Sequence, residues 1–312
     1  MKKFIVTGAA GFIGSNLVDK LLKDSIVLGI DNLSTGKISN LDKALQNPNF
    51  NFLEIDLLNQ ESLNNAFSNN EFDAVFHLAA NADVKDGLKH PHKDLQQNTI
   101  ATFNVLEAMR ANNIMNILFS STGSIYGEAS EFPTPESTSI PIQTSLYGAS
   151  KIACEALIQA YCEGYGFKSW IYRFVGILGP RYSHGHIIDF YHKLLNDPTT
   201  LQILGNGKQK KSYLHVSDCI EAILCSFNNV SEKVNIFNLG LDAYCNVDHS
   251  ANLIINKLGL SSELTYSGGD RGWVGDNPFI YLDNSKISAI GWTPKYNLDE
   301  SIEATVDYLL NN

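Results

Sequence analysis

The sequence FIVTGAAGFIG, residues 4–14, decides the fold of this 312-residue chain. Three apolar residues at 4–6 form a short strand pattern that runs directly into glycines at positions 8, 11 and 14. An amphipathic helical pattern over 13–23 follows at once. Glycines are needed where the backbone approaches a pyrophosphate, and a helix amino terminus there donates free N–H groups to the anion. The stretch therefore predicts a dinucleotide site.

A short apolar run followed by a helical stretch recurs through the first half of the chain. The runs of strand length are 4–6, 26–30, 50–55, 74–78, 117–119 and 169–172. Helical patterns lie between them, for example over 94–111 and 147–163. In the first of these, one recurring face carries Leu95, Thr99, Thr102 and Leu106. This alternation predicts an α/β fold with a doubly wound parallel sheet of the Rossmann type.

The pattern changes after about residue 173, where loops rich in Gly and Pro are interrupted by helical patches. We therefore expect a cofactor-binding domain over 1–172 and a smaller substrate lobe over 173–312. The run at 234–239 again has the pattern of a strand. A segment near 212–242 is thus expected to return to the first domain.

Composition excludes several classes of function. The chain has 23 basic and 33 acidic residues, a net charge of −10, and is 44% hydrophobic, which argues against a disordered protein and against nucleic-acid binding through a basic face. Its five cysteines are odd in number and lack C-x-x-C pairs, so neither disulfides nor a metal site is expected. No apolar run approaches the roughly 18 residues of a membrane span. We expect a cytoplasmic protein with no membrane partner.

Carboxylates follow the second and third strand patterns. Asp31 lies seventeen residues past Gly14, where it can accept both ribose hydroxyls of NAD and repel the 2′-phosphate of NADP. Asp56 occupies the equivalent place after the third strand and can meet the adenine amino group. The fourth strand carries His77, which is interpreted as a core histidine because it stands in an apolar run. The sequence therefore predicts NAD as the cofactor.

A tyrosine and a lysine, Tyr147 and Lys151, stand at i and i+4 on one helix face. Hydroxyl residues at 120–122 end an upstream strand pattern. A lysine ammonium and a nicotinamide cation would lower the tyrosine pKa from its ordinary value near ~10. The resulting phenolate can remove a proton from a sugar hydroxyl while a hydride leaves the same carbon.

Taken together, these motifs resemble the extended short-chain dehydrogenase/reductase superfamily. Within it, the chain is most similar to the NAD-dependent nucleotide-sugar epimerase/dehydratase family in its compact UDP-hexose 4-epimerase form. Further motifs carry the resemblance across the chain: Gly179-Pro180, Ser183-His184-Gly185, Gly205-Asn206-Gly207, the run YLHVSD at 213–218, and GDRGW at 269–273.

The resemblance implies a role for each matching residue. Thr122 would orient the reacting hydroxyl, Tyr147 would act as the base, and Lys151 would hold the ribose and tune the tyrosine. The positions implied for NAD are Gly8, Gly11, Phe12, Ile13, Gly14, Asp31, Asn32, Ser34, Thr35, Gly36, Asp56, Leu57, Leu78, Ala79, Ala80, Asn98, Ser120, Tyr147, Lys151 and Val175. Those implied for a nucleotide-diphosphate sugar are Thr122, Tyr147, Lys211 and Arg271. A homodimer through the helices that hold Asn98 and Tyr147 is also implied.

The chain departs from the family pattern at three places. Gly123-Ser124 stands where dehydratases carry an Asp-Glu pair, so water elimination lacks its acid and base. Gly176 replaces an asparagine that contacts the substrate phosphates in the family. Lys211 replaces a commoner arginine, which keeps the charge but loses the bidentate fork.

Two alternatives to a 4-epimerase remain open from the sequence. A nucleotide-sugar 4-dehydrogenase, acting on a UDP- or GDP-linked sugar, would use the same residues and NAD but release the 4-keto product. A dinucleotide-sensing module without catalysis would need no activated phenol, so the intact Tyr147-Lys151 pair argues against it.

Overall fold

The computed structural model describes residues 1–68, 71–139, 142–273, 275–277 and 279–312. Seven strands form its main sheet: β1 Lys2–Thr7, β2 Ser25–Asp31, β3 Phe50–Glu54, β4 Ala74–His77, β5 Asn116–Thr122, β6 Lys168–Phe174 and, from much later in the chain, β11 Val234–Leu239. The helices of the first half are α1 Phe12–Leu21, α2 Gln60–Phe67, α3 Val84–Lys89, α4 Pro91–Asp94, α5 Ala101–Ala111 and α6 Leu146–Tyr165. Short 3₁₀ turns occur at Ile38–Leu41, Ala44–Gln46 and Gly123–Tyr126.

The main sheet is parallel throughout, with the strand order β11-β6-β5-β4-β1-β2-β3. This order confirms the predicted doubly wound Rossmann sheet. The direction of winding reverses between β1 and β4, which are neighbours in space but not in sequence. In open sheets of this kind, ligands bind in the crevice outside the carboxyl ends of the strands at that point.

Alternate side chains of each central strand pack into two separate apolar layers. In β1, Phe4 and Val6 face one layer and Ile5 faces the other, and all three are buried. Since side chains alternate across a strand, both faces of the sheet must be covered by helices. The layer on one face receives α2, α5 and α6, and the other receives α1.

The helical pattern predicted over 94–111 is interrupted by a π-helix. Helix α4 is followed by this π-helix over Leu95–Ile100 and then by α5. The wider turn changes which residues face the core. Thr102 and Leu106 are buried as the pattern predicts, but Leu95 is 52% exposed. The prediction of one regular helical face was therefore wrong at its start.

The second half of the chain contributes small sheets and helices as well as β11. Its further strands are β7 Gly176–Leu178, β8 Thr200–Ile203, β9 Lys210–Lys211, β10 Tyr213–His215, β12 Cys245–Asn246, β13 Glu263–Tyr266 and β14 Phe279–Ile280. Its helices are α7 His186–Asn196, α8 Val216–Asn229, α9 Val247–Lys257, α10 Ser285–Ala289 and α11 Leu298–Asn311. The division at residue 172 stays a prediction. Within the described ranges, every helix is too short or too polar to cross a lipid bilayer.

Candidate active site

The glycine loop after β1 lies against the end of β4. Gly8 has a φ of +70°, and a Cβ placed on it would lie 2.7 Å from the backbone nitrogen of Ala79. A Cβ on Gly14 would lie 2.0 Å from the carbonyl oxygen of Gly8. Only glycine permits either approach. Because Gly11 is the N-cap of α1 and has no side chain, the amides of the first turn stay available to an anionic ligand.

Asp31 links this loop to the chain that follows β2. Its Oδ2 accepts a hydrogen bond from the Ala10 amide at 3.0 Å, and its Oδ1 accepts one from the Leu33 amide at 2.8 Å. Burial raises the pKa of the carboxyl group, and the backbone donors oppose that rise. The carboxylate therefore lies at the carboxyl edge of the sheet, where the sequence predicts a ribose partner.

A cleft of about 650 Å³ opens at this edge of the sheet. The predicted cofactor positions that line it are Gly8, Gly11, Asp31, Asn32, Ser34, Thr35, Gly36, Leu57, Leu78, Ala79 and Ala80. Five further lining residues were missed by the sequence reasoning: Ile30, Ile55, Asn81, Lys93 and Gln97. Ile30 and Ile55 could have been found, because each directly precedes a strand-end aspartate. Lys93 and Gln97 lie on helices and belong to no recognised motif.

The remaining predicted cofactor positions lie outside this lining, although all are described: Phe12, Ile13, Gly14, Asp56, Asn98, Ser120, Tyr147, Lys151 and Val175. Asp56 accepts hydrogen bonds from the Asn32 side chain at 3.1 Å and the Leu58 amide at 2.9 Å. It thus supports a lining residue, while its neighbours Ile55 and Leu57 face the cleft. The cofactor assignments of all these positions stay predictions.

Asn98 is buried and connects the loop after β4 with α6. Its Oδ1 accepts from the Asn81 amide at 2.8 Å, and its Nδ2 donates to the Ser150 hydroxyl at 2.8 Å. Asn81 lines the cleft and Ser150 precedes Lys151 in α6. The π-helix therefore presents an amide that ties the cleft to the helix of the Tyr-Lys pair.

Tyr147 lies in the first turn of α6, beside the end of β5. Ser145 caps this helix by accepting from the Gly148 amide at 3.0 Å. The Thr122 side chain hydrogen-bonds to the Tyr147 phenol and lowers its pKa, but burial has the larger effect and raises the pKa to about 12. The sequence predicts a lowered pKa in the presence of the nicotinamide cation, and that stays a prediction.

Lys151 is buried one helical turn after Tyr147. Its Nζ donates to the Ser120 carbonyl at 2.7 Å and lies 4.6 Å from the centre of the Phe119 ring. Burial lowers the pKa of this amine to about 8. The ammonium is therefore held at the end of β5, whose neighbours in the sheet are β4 and β6.

His77 is a satisfied core residue, as the sequence predicts. Its Nδ1 lies 2.7 Å from the Thr7 hydroxyl and its Nε2 lies 2.9 Å from the Thr102 hydroxyl. Burial lowers its pKa to about 3, so the ring is neutral at physiological pH.

Both cations predicted for the substrate diphosphate form ion pairs with carboxylates of the chain. The Lys211 Nζ lies 2.9 Å from Asp276 Oδ1 and also donates to the Asn277 carbonyl at 2.8 Å. Arg271 pairs with Glu128. Neither carboxylate was identified from the sequence, because each is distant along the chain from its partner and belongs to no motif.

Gly176, where the family has an asparagine, faces an aromatic ring. A Cβ on Gly176 would lie 2.8 Å from Cδ1 of Tyr213, which is its partner in the pairing of β7 with β10. The Tyr213 hydroxyl lies 2.9 Å from His186 Nε2, so the ring is held in place. A larger residue at 176 would have to displace that ring.

Comparisons with known proteins agree with this geometry. The sequence profile described as the NAD dependent epimerase/dehydratase family matches residues 4–240. A putative UDP-glucose 4-epimerase of Methanocaldococcus jannaschii is 33% identical, over 99% of this chain and 98% of that protein. These matches confirm the resemblance that the motifs indicate.

Two crystal structures extend the likeness to three dimensions. A UDP-glucose 4-epimerase from Thermotoga maritima, solved with UDP-glucose, is 32% identical with a TM-score of 0.89 and covers 99% of both chains. A UDP-glucose 4-epimerase from Thermus thermophilus, solved in complex with NAD, is 31% identical with a TM-score of 0.88 and the same coverage. The profile match spans more than half of the sequence, and the chain belongs to the NAD-dependent epimerase/dehydratase family.

Proposed function

We propose that this enzyme is a nucleotide-sugar 4-epimerase that acts through a transient 4-keto sugar, with a UDP-hexose as its substrate. The observation that carries the proposal is the placement of Tyr147 and Lys151, one turn apart in α6, against the end of β5, where the Lys151 Nζ donates to the Ser120 carbonyl at 2.7 Å. The relatives named for UDP-glucose 4-epimerisation support the choice of reaction and nucleotide.

The cleft beside β1 and β4 fits NAD. Gly8 packs against Ala79 and Gly14 against Gly8 without room for a Cβ, which fixes the loop at the start of α1. A glycine loop in this position meets a pyrophosphate through its backbone amides. Asp31 would hold the adenosine ribose, and the small residues Ala79 and Ala80 would lie along the flat part of the cofactor. When bound, NAD supplies the hydride acceptor and donor of the reaction. The chain supplies orientation and proton transfer.

Thr122 and Tyr147 share the handling of the sugar hydroxyl at C4. The Thr122 side chain lies close enough to the Tyr147 phenol to lower its pKa, so a sugar hydroxyl that meets both side chains would be oriented by both. As a phenolate, Tyr147 takes the hydroxyl proton when C4 is oxidised and returns it when C4 is reduced, a contribution of about 10²- to 10⁴-fold.

Lys151 provides the positive charge that a phenolate needs nearby. Burial holds the Lys151 pKa near 8, so the amine is mostly protonated at neutral pH. The Ser120 carbonyl fixes the ammonium at 2.7 Å. Because burial raises the Tyr147 pKa to about 12, the phenol depends on added positive charge beside it to act as a base.

Elimination of water is disfavoured by the residues after Thr122. Gly123 and Ser124 offer no carboxylate, and a Cβ on Gly123 would lie 2.8 Å from the Ile280 side chain. A dehydratase needs an acid and a base at this place, and the apolar surroundings of residue 123 do not favour either. This supports epimerisation over 4,6-dehydration.

The proposed assembly is a homodimer through α5 and α6. Large apolar side chains are exposed on the π-helix and on these two helices: Leu95, Ile100, Phe103, Leu146 and Tyr165. Exposed apolar side chains of this number favour burial against a partner. Phe103→Glu should then yield a monomer in sedimentation equilibrium, and a wild-type monomer would contradict the assembly.

A substrate screen tests the proposed function. NAD-loaded enzyme is incubated separately with UDP-glucose, UDP-galactose, other UDP-sugars and GDP-sugars, and the C4 configuration of each product is determined by NMR. We expect inversion at C4 with at least one UDP-hexose. Recovery of every UDP-sugar unchanged would overturn the assignment.

A further inference from the structure

A buried polar cluster lies behind the Tyr-Lys pair and has no role in the reaction as proposed. It consists of Glu155 in α6, Ser121 in β5 and Arg173 in β6, which are 0%, 2% and 4% exposed. Glu155 follows Lys151 by one helical turn, so Tyr147, Lys151 and Glu155 lie on one face of α6.

Both oxygens of the Glu155 carboxylate accept hydrogen bonds. Its Oε1 accepts from the Ser121 hydroxyl at 2.5 Å and from Arg173 Nε at 3.2 Å. Its Oε2 accepts from Arg173 Nη2 at 2.8 Å. The arginine contact is bidentate, the geometry that gives charged hydrogen bonds the greatest directional specificity. Glu155 is thus fixed relative to both β5 and β6.

Three successive turns of α6 contact three successive residues at the end of β5. The contacts are Tyr147 with the Thr122 side chain, Lys151 with the Ser120 carbonyl, and Glu155 with the Ser121 hydroxyl. The first two contacts carry the proposed chemistry. The third contact fixes the register of α6 along β5, because Ser121 lies between Ser120 and Thr122, the residues that Lys151 and Tyr147 contact.

Arg173 extends the cluster to the second half of the chain. Its Nη1 donates to the Tyr126 hydroxyl at 2.7 Å, and that hydroxyl donates to Asn238 Oδ1 at 2.9 Å. Tyr126 belongs to the 3₁₀ turn that follows Thr122, and Asn238 belongs to β11. The cluster therefore links the strand end that carries Thr122 to α6 through Glu155 and to β11 through Asn238.

Stability alone does not explain a buried ion pair of this kind. Removing both charges from water is unfavourable, and well-packed apolar residues of similar volume commonly stabilise a protein as well or better. A fixed geometry is what the ion pair adds, since Arg173 and Glu155 have one bidentate arrangement available between β6 and α6.

We infer that Ser121 and Glu155 are positioning residues that hold α6 in register with β5, so that Tyr147 meets Thr122 and Lys151 meets the Ser120 carbonyl. The inference rests on the proposed function for the meaning of those contacts. Displacements of about 1 Å at a reacting group lower a rate by as much as about 100-fold. Loss of the Ser121 contact should therefore reduce kcat rather than substrate binding.

Ser121→Ala tests the inference because it removes the hydroxyl and leaves the Arg173–Glu155 pair intact. The matched control is Ser226→Ala. Ser226 belongs to a different helix, α8, is also buried, and its hydroxyl lies 2.8 Å from the Tyr172 hydroxyl. Glu155→Asp is the second variant, since it keeps the charge opposite Arg173 but shortens the reach to Ser121. All proteins are compared as NAD-loaded enzyme, with kcat, substrate KM and melting temperature measured.

For Ser121→Ala and Glu155→Asp we expect kcat to fall by about 10- to 100-fold, with KM changed by less than about twofold. Ser226→Ala should lower the melting temperature without lowering kcat. Equal kcat values for Ser121→Ala and Ser226→Ala would overturn the inference.

Crystal structures of the wild type and Ser121→Ala separate this inference from the proposed function, because they need no turnover. The expected result is that the Lys151 Nζ to Ser120 oxygen distance, 2.7 Å here, lengthens beyond hydrogen-bond range or that Tyr147 leaves Thr122. If the wild type turned over no nucleotide sugar, the proposed function would fail while this comparison still decided the positioning role. Unchanged contacts in Ser121→Ala would refute it.

Discussion

The ammonium of Lys211 lies 2.9 Å from the carboxylate of Asp276, which is itself 4% exposed. Arg271 is paired in the same way with Glu128. The two cations proposed for the substrate diphosphate thus carry counter-charges supplied by the chain. In the proposed reaction, the substrate diphosphate replaces Asp276 and Glu128 as the partner of these cations. The cations therefore contribute to substrate affinity only the difference between their contacts with the diphosphate and their contacts with the two carboxylates.

Arg271→Ala should raise the substrate KM by about tenfold or more, since a charged contact to a phosphate is lost. The Kd for NAD should stay within about twofold, because NAD is assigned to the cleft at the other end of the site. Arg110→Ala is the control, as Arg110 forms an exposed ion pair with Glu107 in α5. Equal effects of Arg271→Ala on KM and on the NAD Kd would place Arg271 elsewhere.

The cofactor preference should depend on Asp31. We expect the wild type, stripped of cofactor, to bind NAD more tightly than NADP by on the order of 100-fold, because a carboxylate beside a 2′-phosphate is repulsive. Asp31→Asn keeps an acceptor oxygen for only one of the Ala10 and Leu33 amides and loses the charge, so the ratio should shrink. Fluorescence titration of both proteins with both cofactors measures it, and tighter binding of NADP by the wild type would contradict the assignment.

Tyr147→Phe should abolish turnover while leaving NAD bound. The substitution removes only the phenol oxygen that Thr122 contacts, and the loss expected for a general base is about 10²- to 10⁴-fold in kcat. Tyr161→Phe is matched to it, because Tyr161 is in the same helix and its hydroxyl donates to Glu107 at 2.6 Å, away from the site. If Tyr147→Phe kept most of the wild-type rate, another group would have to be the base.

Local sequence determines the parts of this molecule that were predictable. The strand, loop and helix around Gly8 depend on neighbouring residues and on the conformations open to glycine, so residues 4–14 suffice to predict them. The carboxyl ends of parallel strands meet at one edge, and for that reason Asp31 and Ala79 could be placed at one site from their positions after strand patterns.

Contacts between distant residues account for what was missed. Asp276 is 65 residues from Lys211, and Glu155 meets Ser121 and Arg173 only after three elements have packed together. The effect of burial on the Tyr147 pKa was missed for a related reason. The sequence places Lys151 nearby, but only the folded chain shows that its ammonium donates to the Ser120 carbonyl and that burial is the largest influence on the phenol pKa.

Lys151→Met should stabilise the cofactor-stripped protein at neutral pH. The Lys151 pKa in the folded chain is about 8, below its value of 10.5 when unfolded. The folded wild type is therefore penalised fully below pH 8, and the penalty disappears as pH rises from 8 to 10.5. The shift corresponds to about 3 kcal/mol, of which a lost hydrogen bond offsets about 1 kcal/mol.

The expected gain is about 3 °C in melting temperature below pH 8, and it should shrink towards pH 10.5. Lys168→Met, at an exposed position of β6, is the control and should show no such trend. Calorimetry across this pH range checks both variants. A Lys151→Met protein less stable than the wild type at pH 7 would mean that the ammonium is better compensated than its surroundings indicate.

The fate of the hydride distinguishes epimerase from 4-dehydrogenase, and under the proposed function the hydride returns to the sugar. An epimerase must keep the 4-keto sugar bound while it turns, so the pocket has to retain the diphosphate and leave space around the ring. Lys211 and Arg271 would provide the retention. At Gly176 no side chain projects, and the Tyr213 ring lies 2.8 Å from the place that a Cβ would take.

We therefore expect wild-type enzyme mixed with a UDP-hexose, and no external acceptor, to invert C4 over many turnovers with only a small steady absorbance from reduced nicotinamide. Arg271→Ala should raise that steady absorbance, because weaker retention lets the ketone escape and leaves the cofactor reduced. Stopped-flow absorbance together with NMR of the sugar measures both quantities. One stoichiometric rise in absorbance in the wild type, followed by a stall that an added keto acceptor relieves, would identify a dehydrogenase instead.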